Sequence, residues 1–497
     1  MNNKTKYGIS SIGVENFRSL KKLDPIEIKP ITILVGENSC GKSSFLRLLP
    51  LLKQSQDEKI NGPLALYGEY VDFGSFSNVK NISSTNDAIT MKINGFLQPL
   101  FLRRKRVSLI PYSVIYDIRQ EYKDNPFVSY IQVFLGEDFS FSINISADGN
   151  VTELKIDHEN FSMKKKLVAG YPDGCPCILP FVVEEGNSLH RWYMPNCALD
   201  VVCEQKSLQK VLTEEFFTEI DLLDFQSKEK CRKKIRQLSK KKKINCDDII
   251  VDEIIKHLFY SNIPNILYTM NRSLFWSLNG VKYAKPIRAN TERYYRYKPL
   301  HVNEVSSDGN NLSQVLSSFS SKKKLAFEKW MKDNFGFKAY VRGDELKSIY
   351  IKIGKSEEHN IIDMGYGFTQ MLPIVVQLWL SLQNDSDYVN ERDIIFAIEQ
   401  PELHLHPAYQ KLLLKVFCET LVQMKKNGQN IRFLLETHSK NFVTTLARCI
   451  EDKKNCLDSN DVNILVFENK NGCESIVRQS RFDKNGNLEN WPIGFFG

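Results

Sequence analysis

Apolar residues recur along this chain in two rhythms. Short alternating runs open it: ISSIGVENF (9–17) and PIEIKPITILVG (25–36), split by the polar turn RSLKKLD (18–24). SSFLRLLPLL (43–52) then predicts a helix. Between 62 and 160, AITMKINGF, VSLIPYSVIYDI and IQVFLGEDFSFSINISADG alternate apolar with polar and are punctuated by Gly, Asn and Asp. That period of two predicts an antiparallel sheet. Helical periodicity fills 205–260 and includes the basic block KEKCRKKIRQLSKKKK (228–243), while 281–316 is loop-rich and ends in a helix. From 346 onward strand and helix alternate: IYIKIG, TQMLPIVVQLWLSLQ, DIIFAIEQ, AYQKLLLKVFCETLVQM, IRFLLETHS, NFVTTLARCIED, NILVFEN. The alternation predicts an α/β layer with a largely parallel sheet. Three regions follow: an N-terminal lobe (1–160), a mainly helical insertion (161–280) and a C-terminal lobe (281–497).

Composition changes this picture little. The chain has 497 residues and a net charge of +8, which permits nucleic-acid contact without requiring it. No apolar stretch approaches the ~20 residues that span a bilayer. The start, MNNKTKYGISSIG, lacks the apolar core of a signal peptide, and the eleven cysteines are scattered without a C-x-x-C pair. The expectation is a cytoplasmic protein with reduced thiols and no membrane association.

The chemistry lies in three short segments. ITILVGENSCGKSS (31–44) is an apolar strand, then Gly36-x4-Gly41-Lys42-Ser43, then a helix. Backbone N–H groups of Gly36, Asn38, Ser39, Cys40, Gly41, Lys42, Ser43 and Ser44 can turn around phosphate oxygens. Lys42 would reach the outer phosphates of ATP and the Ser43 hydroxyl would sit on Mg²⁺. Cys40 reads as a small filler of the loop. Far along the chain, IIFAIE ends in Glu399, placed to hold the same Mg²⁺ from a strand tip, and is followed by Gln400 and Glu402. His404 and His406 lack a third ligand at metal spacing, and Pro407 is placed to start a helix. A later strand, IRFLLE, leads into Thr437-His438-Ser439, which makes His438 a candidate γ-phosphate sensor.

This split layout resembles the ABC-type heads of the SMC, Rad50 and RecF group, and most of all the OLD-family (overcoming lysogenization defect) ATPases of bacterial phage defence. The matching motifs are VENFRSL (14–20), GENSCGKSS (36–44), EQPELHLHP (399–407) and ETHS (436–439). YAKPIRANTERYYRYK (283–298) and WPIGFFG (491–497) are similar to a bacterial branch ending W-P-x-G-F-F. The resemblance implies an ABC-type P-loop ATPase head formed by both chain ends, with an antiparallel β subdomain and a helical insertion. It places DMGYGFTQMLP (363–373), with Gly365, Gly367 and Thr369, where the group carries the signature segment that reaches a partner's γ-phosphate. It implies a homodimer or an oligomer of dimers, closed by ATP, and a separate nuclease or other effector. A RecF-like DNA-binding ATPase remains the alternative, with the 228–243 block and Arg103, Arg104, Lys105 and Arg106 as phosphate contacts. Arg288, Arg293, Tyr294, Tyr295 and Arg296 read either as such contacts or as lobe packing. Where the group has a water-activating glutamate, this chain has Gln400. A glutamine orients water without accepting its proton, which predicts slow turnover, with Glu402 as a substitute base.

Overall fold

A computed structural model describes residues 8–57, 60, 62–97, 109–121, 125–163, 165–172, 175–186, 220, 222–243, 246–288, 292–296, 302–383, 393–452, 457–470 and 474–491. They fall into two compact units, Met1–Glu27 with Leu51–Asn279, and Ile28–Pro50 with Gly280–Gly497. The basic run 103–106 and most of WPIGFFG lie outside the described residues.

The first unit is built on an eight-stranded antiparallel sheet. Its spatial order is Leu20–Glu27, Gly8–Phe17, Ile89–Leu97, Ile110–Arg119, Phe127–Leu135, Phe139–Ile145, Val151–Ile156 and Glu159–Asn160. Met91 and Ile93 are buried while Lys92 and Asn94 between and beside them are half-buried, the signature of a sheet with one covered face. Phe139 and Phe141 on that face meet Phe225 and Phe259, with ring centroids 4.8–6.0 Å apart. The expected polar turn at 18–24 is mostly strand. Leu20–Glu27 is the edge strand, so Lys21 and Lys22 face solvent at no cost in burial. The stretch expected to be mainly helical holds a β pair, Leu167–Gly170 with Phe181–Glu184, before the helices Lys228–Lys241 and Asp248–Asn279.

The basic block forms an amphipathic helix. Cys231, Ile235 and Leu238 are buried, and at least four of the block's ten cations are ion-paired: Lys228 with Asp157, Arg232 with Asp252, Lys233 with Glu229, Arg236 with Asp248.

The second unit carries a seven-stranded sheet in the order Val281–Ala284, Asp393–Glu399, Asn430–Glu436, Ile31–Gly36, Val462–Lys470, Glu474–Phe482, Leu488–Glu489. The first five strands are parallel and the last two antiparallel. All six residues of Ile31–Gly36 are buried, as a central parallel strand requires. Helices Tyr366–Leu382, Pro407–Lys426 and Lys440–Glu451 contribute Val375, Phe417 and Leu446 to the same core as Ile33, Phe396 and Phe433. Phe433 stacks between Phe396 and Phe417 at 5.4 and 4.7 Å. The fold of this unit is thus α/β, with a largely parallel sheet that joins strands from both chain ends.

Two strands depart from expectation. IYIKIG belongs to Leu346–Ile353, which pairs antiparallel with Phe337–Arg342 in a separate small sheet. Its half-exposed alternation suits that role and not a buried parallel strand. Conversely, Val281–Ala284, inside the stretch read as loop, extends the parallel sheet beside Asp393–Glu399. Four residues of mixed polarity are too short to show a period.

In the first unit, buried Asn271 on the 32-residue helix holds a passing loop by three bonds: its Oδ1 accepts from the N–H groups of Ile178 (3.1 Å) and Leu179 (3.0 Å), and its Nδ2 donates to the Leu179 carbonyl (2.8 Å). A buried backbone group left unpaired costs about 1–3 kcal/mol. Asn271→Leu should therefore lower the unfolding free energy by about 3 kcal/mol or more, read as a shifted urea midpoint at unchanged slope.

Candidate functional site

Three parallel strands end side by side. Glu399 and Glu436 are register partners, and Glu436 is in turn paired with Leu34, two residues before Gly36. The strand order therefore puts Glu436 next to the phosphate-binding loop and Glu399 one strand further out. Carboxyl ends of parallel strands are where α/β folds bind ligands.

The loop needs glycine where it turns. Gly36 has φ +150°, and a Cβ there would lie 2.3 Å from the Phe467 carbonyl oxygen on the neighbouring strand. Glu37, Asn38 and Ser39 form the exposed tip, Ser39 with a left-handed φ of 63°, and Gly41 turns the chain into the helix at φ 93°. The helix Lys42–Leu46 breaks at Arg47 and resumes as Leu48–Asp57. The Lys42 ammonium lies inside the loop, donating to the carbonyls of Gly36 (3.0 Å) and Glu37 (2.5 Å). Cys40 fills the space beneath: it is buried, its Sγ donates to the Glu37 carbonyl at 2.8 Å, and burial pushes its thiol pKa up. Ser44 is half-buried behind Ser43.

The two strand-tip carboxylates have different surroundings. Glu399 is saturated: Arg47 donates to both oxygens at 2.6 and 2.7 Å, and the Tyr283 hydroxyl adds a third bond at 2.6 Å. The carboxylate raises the Arg47 pKa through these bonds, and burial raises that of Tyr283. Glu436 is buried, accepts at Oε1 from the Ser43 hydroxyl at 2.9 Å, and has no hydrogen-bond partner at Oε2 among the described residues. Burial, reinforced by the charge of Glu399, pushes its pKa up to about 7. So the expected pair of Ser43 and Glu399 do not touch: each meets a different partner, Ser43 the carboxylate of Glu436 and Glu399 the guanidinium of Arg47. In a parallel sheet, spatial strand order is absent from the linear pattern, and Glu436 sat unremarked in the ETHS motif.

The turn after Glu399 is tight. Gln400 has a left-handed φ of 44°, and its N–H donates to the Glu436 carbonyl at 2.9 Å. Glu402 accepts from the backbone N–H of His438 at 2.8 Å, and burial raises its pKa. The pKa of His438 is lowered, first by burial and then by the charge of Lys42. His406 caps the helix Pro407–Lys426 through Nδ1, and His404 lies beside Tyr366.

Arg288 is the least exposed charge of the site. Its Nη2 donates to the Glu399 carbonyl, its N–H donates to the Gln370 side chain, and Gln370 returns a bond to its carbonyl, each at 2.9 Å. Burial lowers its pKa to about 10 against the pull of Glu402 and Glu399. Gln370 stands in the helix Tyr366–Leu382, which follows Gly365. Thr369 closes the first turn by donating to the Tyr366 carbonyl at 2.8 Å, and Gly367 leaves room for the His404 carbonyl, 3.0 Å from where its Cβ would be. Arg293 is ion-paired with Asp363, and Tyr295 packs on the core.

Removing one partner of a buried ion pair strands the other charge. Such losses run to about 3–5 kcal/mol, and here Tyr283 still donates while Arg47 is 28% exposed. Arg47→Ala should destabilise the nucleotide-free protein by about 2–3 kcal/mol, and Glu399→Gln in the same chain should restore most of it, both measured by chemical denaturation.

Comparison with known proteins gives a family. The profile described as AAA ATPase domain matches residues 8–335 and 303–443, and one described as protein of unknown function (DUF3696) matches 457–497. Among solved structures, the chain is similar to the SMC head domain from Thermotoga maritima, at 7% identity and TM-score 0.36 over 95% of this chain and 98% of that one. It is also similar to the Smc head domain with an extended coiled coil from Pyrococcus furiosus, bound to the C-terminal domain of ScpA. There the identity is 11% and the TM-score 0.35, over 95% and 96% of the two chains. No curated protein matches. With well over half its length matched, the chain belongs to the AAA ATPase domain family.

Proposed function

We propose that this ATPase binds ATP with Mg²⁺, hydrolyses it slowly, and uses the cycle to close and open a dimer that regulates a separate effector in anti-phage defence. The observation that carries the reading is the loop at 36–43, with the Lys42 ammonium held at its centre by two carbonyls that phosphate oxygens can replace. Ser43 and the strand-tip carboxylates supply hard oxygen ligands of the kind Mg²⁺ takes. When bound, Mg²⁺ would offset the negative charge of the phosphates. Gln400, next to Glu399, orients water through its amide. Glu402 is the substitute base, and His438, tied to Glu402, is the phosphate sensor. General-base help is worth about 10²–10⁴-fold, so its absence slows hydrolysis without abolishing it. Gly365, Gly367 and Thr369 begin a 17-residue helix whose first N–H groups lack a side-chain cap, a surface suited to a partner's phosphate. The defence role and the effector rest on the OLD-family resemblance.

Lys42→Ala should abolish binding of a fluorescent ATP analogue, and Gln400→Glu should raise steady-state ATPase about tenfold or more. An unchanged rate in Gln400→Glu would place that side chain away from the attacking water. Light scattering should show a doubling of mass with a non-hydrolysable ATP analogue. Duplex binding that falls steeply with salt would instead support the RecF-like reading.

A further inference from the structure

The cation site of this ATPase has one carboxylate already committed and another left open. Glu399, the expected ligand, has both oxygens engaged by Arg47 and one also by Tyr283. Glu436 faces the Ser43 hydroxyl instead, with its Oε1 at 2.9 Å from Oγ. Mg²⁺ holds oxygen ligands at about 2.0–2.1 Å in a near-ideal octahedron, so neighbouring ligands lie about 3 Å apart. The Ser43 and Glu436 oxygens already have that spacing. The second oxygen of Glu436 is buried and has no hydrogen-bond partner among the described residues. An unpaired buried carboxylate oxygen is costly unless a proton or a cation compensates it.

We infer that Glu436 is a direct ligand of the divalent cation, beside the Ser43 hydroxyl, and that Glu399 acts one shell further out by fixing Arg47 and Tyr283. This rests on the nucleotide-site reading above. The arrangement is a consequence of strand order, because Asn430–Glu436 lies between the strand of the phosphate loop and the strand of Glu399. It also gives a reason for a glutamate in place of an apolar residue at the end of a strand whose preceding three positions, Phe433, Leu434 and Leu435, are all buried and apolar. The charge of Glu436 is then needed for the cation, not for the fold.

The test is Mn²⁺ binding to the full chain, followed by electron paramagnetic resonance in the presence of a non-hydrolysable ATP analogue, with analogue binding measured separately in EDTA. Glu436→Gln keeps the side-chain shape and should weaken Mn²⁺ at least tenfold, while metal-free binding of the analogue stays within about twofold. Wild-type Mn²⁺ affinity in folded Glu436→Gln overturns the assignment. If that variant does not fold, Glu436→Asp decides instead: it keeps the charge but withdraws it by one methylene, and an unchanged Mn²⁺ affinity again overturns the assignment. Failure of the wild-type chain to bind the analogue at all, with or without metal, would sink the nucleotide reading itself, a result separable from loss of the metal alone.

Discussion

The structure depends on one pairing: the strand Ile31–Gly36 inserted between Asn430–Glu436 and Val462–Lys470. Its backbone is hydrogen-bonded on both sides to strands from the other end of the chain, and all its side chains are buried. Everything chemical follows from this insertion. It sets Lys42 and Ser43 against carboxylates that are hundreds of residues away in sequence, 393 for Ser43 and Glu436. It also leaves Gly36 against the Phe467 carbonyl, where a side chain has no room.

Around that junction the charges are unequally satisfied. Glu399 is held by three donors, two from Arg47 and one from Tyr283. Arg288, buried and joined to Gln370 and to the Glu399 carbonyl, ties the helix after Gly365 to the same strand end. Glu402 ties the turn to His438. The donor-rich groups fix geometry, and the under-bonded oxygens of Glu436 and Glu402 stand where a ligand would compensate them. Arg288 and Glu402 thus give the strand tip two physical links, one to the helix after Gly365 and one to His438.

Much of this was legible in the residues themselves. The phosphate loop could be read because two glycines, a lysine and a hydroxyl residue stand there at fixed spacing, and the strand before it because six consecutive positions are apolar or small. Glu399 could be read as a strand tip for the same reason. What escaped was spatial: the pattern does not say which parallel strand lies next to which, so the hydrogen bond between Ser43 and Glu436 could not be read from it. Arg47 and Tyr283 gave no signal, since a lone arginine in a helix and a tyrosine in a four-residue strand look ordinary until a buried carboxylate is set beside them. Leu20–Glu27 was hidden by its lysines, which an edge strand tolerates and a central one would not.

The same insertion governs how the chain must be made. During synthesis the segment ITILV leaves the ribosome long before either neighbour exists. At about 5–20 residues per second, roughly 20–80 s pass before Asn430–Glu436 emerges. Once residue 160 has emerged the antiparallel sheet of residues 8–160 has all its strands and can complete, while the strand Ile31–Gly36 of the other unit waits without a partner. A nascent chain of this design therefore carries an unpaired apolar β segment for most of its translation.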